Sequence, residues 1–130
     1  MSGAARSNRA LNELHSEAFE HPVLDDDWVA QVNAHSLGWV CAWNVEDDLV
    51  GFVNVAWDGA CHAFILDTIV SSVAVQRGLG TSIVKLATEH ARAAGCEWLH
   101  VDFDDHLRPF YFDACGFNPT NAGLIDLKAL

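Results

Sequence analysis

Between residues 61 and 95 the sequence changes period. "CHAFILDTIV" (61–70) is a strand-like run of apolar and small residues. "GTSIVKLATEHARAAG" (80–95) repeats apolar residues at helical spacing through Ile83, Val84, Ala87, Ala91 and Ala94. Gly78 and Gly80 mark a bend between the two, and Gly95 is the expected helix stop. A helix over 81–94 is long enough to cross over between parallel strands. The chain must therefore build a sheet with at least one helix packed on it.

The flanking segments fill in that sheet. "GWVCAWNV" and "DLVGFVNVAW" are strand-like and are separated by "EDD". Asp58-Gly59, before the third run, is a strong hairpin signal. Three consecutive antiparallel strands are expected. After the crossover, "CEWLHVDF" reads as a strand, "HLRPFYFDACG" as a short helix and "GLIDL" as a last short strand. Upstream, "RALNELHSEAFE" is a short amphipathic helix with Leu11, Leu14 and Ala18 on one face and Phe19 beside them; Pro22 stops it. "DDDWVAQVNAHS" is a second helix, with an acidic run suited to capping and a buried side of Trp28, Val29 and Val32. Residues 1–8 are small and polar and are expected to fray. The whole, 1–130, reads as one α/β domain with a mixed, mostly antiparallel sheet flanked by helices.

Charge narrows the partners. Eighteen acidic residues against seven basic ones give a formal net charge of -11. Nucleic acids and anionic membranes need a basic surface, so neither is expected as a partner. An amine substrate suits the acidity, as does plain solubility. Cys41, Cys61, Cys96 and Cys115 form no C-x-x-C pair and read as buried free thiols of a reducing compartment. No run has signal-peptide or transmembrane character. The expectation is a soluble cytoplasmic protein.

The bend can hold an anion. A helix N-terminus carries free N–H groups and partial positive charge, and a tight glycine turn adds more. Arg77 is a suitable phosphate partner. No G-K-[ST] closes the loop, so it is not a Walker site. Ile83 stands where a dinucleotide fingerprint needs its third glycine. A turn that simply needs glycine is the plain alternative.

The string from Leu66 to Gly95 resembles the acetyl-CoA-binding motif of the GNAT family of N-acetyltransferases. "LDTIV", six residues, "RGLG" and a helix beginning "TSIV" match that family's strand, pyrophosphate loop and helix. "GCEWLHVDF" resembles its fifth strand, and "FYFDACGFNPT" its short helix with a Gly-Phe pair. The resemblance implies acetyl-CoA as cosubstrate, entering where "AFILDTIV" splays from "EWLHVDF". Pantetheine would pair with backbone around Ile69, Val70 and Ser71. Pyrophosphate would take N–H groups from Gln76, Arg77, Gly78, Leu79, Gly80 and Thr81. A primary amine would attack the thioester directly. No metal is expected.

Several positions depart from the family. Its loop begins with Gln or Arg, where this chain has Val75, and Ser72 replaces a common proline. The usual first strand has no counterpart and the C-terminal hairpin is shortened. Uncovered apolar strand edges are a liability, so a homodimer is expected. These departures also suit a second reading, a non-catalytic CoA-binding or scaffold protein.

Thioester aminolysis needs a neutral amine and a proton for the leaving thiolate. In the resembling family a tyrosine supplies that proton. Tyr111 is the sole tyrosine, but Phe112 holds the usual position, and one residue turns a regular helix by about 100°. Packing is the alternative role for Tyr111. Asp67, inside an apolar strand, and Asp102, alternating with His100 and Asp104, are the candidate bases, with His100 and His106 behind them. Trp39, Trp43 and Trp57 read as core, or as an aromatic wall for a cation.

Overall fold

A computed structural model describes residues 3–72 and 78–129. Helix α1 spans Gly3–Phe19 and α2 spans Trp28–His35. Strands β1 (Ser36–Trp43), β2 (Leu49–Trp57) and β3 (His62–Val70) follow, then α3 (Leu79–Ala93) and β4 (Trp98–His100). A 3₁₀ turn (Asp105–Leu107) and a π-helical turn (Pro109–Ala114) close the folded part. The sheet order is β1-β2-β3-β4; the first two pairings are antiparallel and the last is parallel. The expected meander and crossover are both present.

The pleat divides the sheet into two apolar faces. On one, Leu11 and Leu14 of α1 and Trp28 and Val32 of α2 pack on Leu49, Phe52 and Ile69. On the other, Ile83, Ala87 and Ala91 of α3 pack on Val53, Val55, Ala63 and Ile65. Phe52 and Val53 are both wholly buried because the sheet is covered on both sides. Burying one such side chain contributes about 1.5–3 kcal/mol.

Local chemistry sets the helix ends. Asp27 caps α2, its carboxylate accepting from the Ala30 N–H at 3.1 Å. Asn8 ties the two helices together: its Oδ1 accepts from Val29 N–H and its Nδ2 donates to Asp27. α1 starts at Gly3, so residues 3–8 are helical. The α1 face is narrower than expected, since Ala18 and Phe19 are exposed.

Other expectations give way for identifiable reasons. "GLIDL" forms no strand, having no ladder partner, and Leu124, Ile125 and Leu127 are exposed. Trp39 and Trp43 are 42% exposed and are not core. They line a groove between α1, α2 and the sheet, and the Arg6 guanidinium lies 5.9 Å from the Trp43 ring centre. Trp57 is exposed beside the β2–β3 turn. All four thiols are free, but Cys41 is exposed and the others are only partly buried.

The two glycines of the bend serve different ends. Gly78 caps α3 in the left-handed region at φ 71°, which favours glycine. Gly80 is buried within α3, and a Cβ there would meet the Phe110 ring at 3.1 Å and Val70 Cγ2 at 3.5 Å. Gly80 thus lets α3 close onto the π-helical turn. Gly80→Val should destabilise the protein by about 1–3 kcal/mol through overpacking. A thermal melt checks this; an unchanged midpoint would contradict the close contact.

Candidate active site

The site begins with an irregularity in β3. Phe52 pairs with Ile69 and Asn54 with Leu66, so Asp67 and Thr68 together oppose Val53. This is a β-bulge, and Asp67 takes φ 54° within it. An L-residue held there costs about 1–3 kcal/mol. Aspartate tolerates that region better than most residues do.

The bulge coincides with a splay. β3 and β4 pair only at His62↔Trp98, Ala63↔Leu99 and Phe64↔His100. Beyond Phe64, β3 has no strand on its β4 side among the described residues. The chain from 101 to 104 is irregular, so "CEWLHVDF" is a strand only over its middle. His100, Asp102 and Asp104 are all exposed, with Val101 and Phe103 partly buried between them, so the alternation outlasts the strand.

Tyr111 closes the splay from the other side. It is 95% buried, 5% of its surface remaining, and its ring stacks on Phe103 with centres 4.5 Å apart. Burial pushes its phenol up; Thr68 offsets part of this, while Cys115 and Asp102 add to it. Thr68 Oγ1 is buried beside it and makes no hydrogen bond that satisfies both distance and angle. The one-residue slip relative to the family pattern has a local cause. The turn is π-helical, with Cys115 N–H donating to the Phe110 carbonyl at 2.9 Å, so each step advances the chain by less than an α-helical step.

Asp67 faces the α1 side. Burial pushes its carboxyl up, opposed by the nearby His15 and by Asn54. The remaining candidates fall into two groups. Ile69 is buried in the α1 face, Val70 packs on the α3 face, and Ser71 is buried at the strand exit. Glu17 of α1 clasps that exit: it accepts from Ser72 N–H at 3.0 Å, Ser72 Oγ at 2.9 Å and Ser71 Oγ at 3.2 Å. Those bonds, the Ser72 N–H first, hold the Glu17 carboxyl below its usual range.

Of the expected anion site, only the helical end falls among the described residues. Gln76 and Arg77, with Val75, lie outside the described residues. Gly78, Leu79, Gly80 and Thr81 form the start of α3, which has no side-chain cap. The first intrahelical bond is Ser82 N–H to the Gly78 carbonyl, at 3.1 Å. The N–H groups of Leu79, Gly80 and Thr81 therefore precede the helical ladder, as an anion site requires.

Two lesser candidates remain. His100 Nε2 lies 2.8 Å from His62 Nδ1, and its ring stacks on Phe64 at the last paired position before the splay. His106 is exposed in the 3₁₀ turn. A cleft of about 510 Å³ lies between α1 and the β1–β2 turn and reaches Ser71, just past the end of β3. Glu17, Thr68, His15 and His21 were not singled out by sequence. Only the histidines carried a readable signal, a pair flanking the helix end before Pro22.

Comparison with known proteins agrees with this fold. A family model described as the acetyltransferase (GNAT) family matches residues 8–117. No curated protein matches the chain. Among solved structures, an acetyltransferase from Trypanosoma brucei is 22% identical with a TM-score of 0.74, over 93% of this chain and 94% of that one. A glucosamine-6-phosphate N-acetyltransferase from Arabidopsis thaliana has a TM-score of 0.78 at 14% identity, over 96% and 93%. A GNAT family protein from Streptococcus pneumoniae reaches 0.69 at 19% identity, over 91% and 89%. At such identities the likeness concerns the fold. The family match spans most of the sequence, and the chain belongs to the GNAT family of acetyltransferases.

Proposed function

We propose that this protein transfers the acetyl group of acetyl-CoA to a primary amine by direct attack. The observation that carries the reading is the splay of β3 from β4 at the bulge, with Tyr111 on one side and the glycine-capped start of α3 beyond it. In this reading pantetheine runs along the unpaired edge of β3 at Ile69, Val70 and Ser71. Pyrophosphate sits on the N–H groups from Gln76 to Thr81, with Arg77 beside it. Tyr111 gives its proton to the CoA thiolate as the C–S bond breaks. Its raised proton affinity keeps it a donor at neutral pH. Asp67 and Asp102 are the carboxylates available to the amine.

Release of CoA thiol across a panel of primary amines tests the activity. Tyr111→Phe should lower turnover by about 10²- to 10⁴-fold, the usual range for general-acid catalysis. Acetyl-CoA affinity, measured by calorimetry, should hardly change. Full turnover in Y111F would make Tyr111 a packing residue. Tight acetyl-CoA binding with no thiol release for any amine would favour the non-catalytic CoA-binding reading.

Arg77 is assigned the side-chain charge that Val75 cannot supply. A hydrogen bond to a charged group contributes about 1.5–3 kcal/mol, so Arg77→Ala should weaken CoA binding by roughly 10- to 150-fold. Equal affinity in the two proteins would remove Arg77 from the site.

A homodimer is part of the same proposal. β4 is a sheet edge with no outer partner among the described residues, and Trp98 on it is 64% exposed. Sedimentation at micromolar concentration should give twice the chain mass. A monomer at every concentration would oppose it.

A further inference from the structure

On the α1 side of the bulge, two histidines form a hydrogen-bonded chain that the reading above leaves unused. α1 ends at Phe19, Glu20 takes φ 54°, and the chain folds back to bring His21 against His15. His15 Nδ1 lies 2.6 Å from His21 Nε2. His21 Nδ1 lies 2.6 Å from the Pro22 carbonyl oxygen. A carbonyl can only accept, so a neutral His21 carries its proton on Nδ1 and leaves Nε2 as an acceptor. His15 must then donate from Nδ1. Its own Nε2 is left bare, with the tautomer fixed by the chain behind it.

Packing holds the ring as well. His15 tilts against Phe19 and Trp28, with ring centres 4.5 and 5.4 Å away. Trp28 belongs to the core, and its indole N–H donates to Asn12. His15 itself is only half-buried, so a substrate can reach it. Its place along α1 is also suitable. Leu14 shares its core cluster with Ile69, Asp67 faces His15, and Glu17 holds Ser71 and Ser72, so this part of α1 runs beside β3 at and just beyond the bulge.

We propose that His15 Nε2 is the base that takes a proton from the amine substrate, with His21 as its positioning residue. The proposal rests on the acetyl-transfer reading and deepens it. His15 removes one proton from the substrate ammonium. The neutral amine then forms the N–C bond to the thioester carbonyl, and the C–S bond breaks. Tyr111 protonates the CoA sulfur, the second proton shed by the acylated nitrogen restores the phenol, and His15 passes its proton to solvent. The groups facing His15 are His21 from the turn, Asp67 from β3 and Asp26 from the loop before α2. Two carboxylates beside a neutral imidazole suit a substrate that arrives as a cation.

The pH dependence follows from the surroundings. Burial, then His21, lowers the His15 value below its usual 6.5, and Asp67 and Asp26 offset only part of this. At pH 7 the ring is therefore neutral and able to accept. Turnover at saturating substrate should fall only on the acid side of the ordinary histidine value, as His15 becomes protonated, and be flat above it.

The test compares wild type with His15→Ala and His21→Ala, using acetyl-CoA and an amine that wild type acetylates. H15A should lose about 10²- to 10⁴-fold in kcat at pH 7 with acetyl-CoA affinity kept. Its kcat should keep rising with pH where wild type is flat, and added imidazole should restore part of it. H21A should lower kcat less than H15A does and move the acidic limb to higher pH, because His21 no longer holds the His15 value down. Wild-type turnover in H15A, or a loss that is equal at every pH and unmoved by imidazole, would overturn the base role alone. Thiol release absent from wild type with every amine would overturn the acetyl-transfer reading and this role together. Nitrogen NMR of the wild-type histidines gives a check that needs no variant. A neutral His15 with its proton on Nδ1 is expected, and a proton on Nε2 would contradict the proposal.

Discussion

The extra residue in β3 is the constraint on which the candidate site depends. An ordinary strand through 62–70 could continue its parallel ladder with the segment after Trp98. Instead Asp67 and Thr68 share one partner on β2, and pairing with β4 ends at Phe64. The strand edge this leaves unpaired is available to a ligand's amide groups. The bulge also sends neighbouring side chains to different sides: Asp67 toward α1, Thr68 toward Tyr111. In the proposed reaction an acid and a base approach one reacting centre from these opposite directions without meeting each other.

The elements around the bulge hold it in place. Glu17 fixes the strand exit from the α1 side. On the other side, α3 packs through Gly80 against Phe110, and Phe110 is continuous with the turn that carries Tyr111. The start of α3 and the phenol are therefore positioned by one contact. A change at Gly80 acts on both ends of the proposed cofactor path.

Much of this was legible in the sequence because it rests on periodicity and turn chemistry. The three antiparallel strands followed from alternating runs and Asp58-Gly59, and the crossover from the spacing of Ile83, Val84, Ala87 and Ala91. What was hidden depends on contacts between distant residues. Nothing local marks Asp67 and Thr68 as a bulge; the register against Val53 creates it. Tyr111 looked displaced because helical spacing was assumed, whereas the turn that carries it is π-helical. The His15–His21 contact needs the left-handed Glu20, which no pattern of apolar residues announces. Gly80 was legible as special but for another reason: it is required by Phe110, not by an unusual φ. "GLIDL" has strand composition, yet composition does not supply a ladder partner.

The central claim is that the unpaired edge of β3 and the start of α3 form one cofactor path. Hydrogen exchange of individual backbone amides, with and without acetyl-CoA, tests it most directly. Amides of Ile69, Val70 and Ser71 and those of Gly78 to Thr81 should slow together on adding acetyl-CoA, while the β1–β2 ladder stays as it was. Binding that protects other amides and leaves both of these segments unchanged would contradict the account.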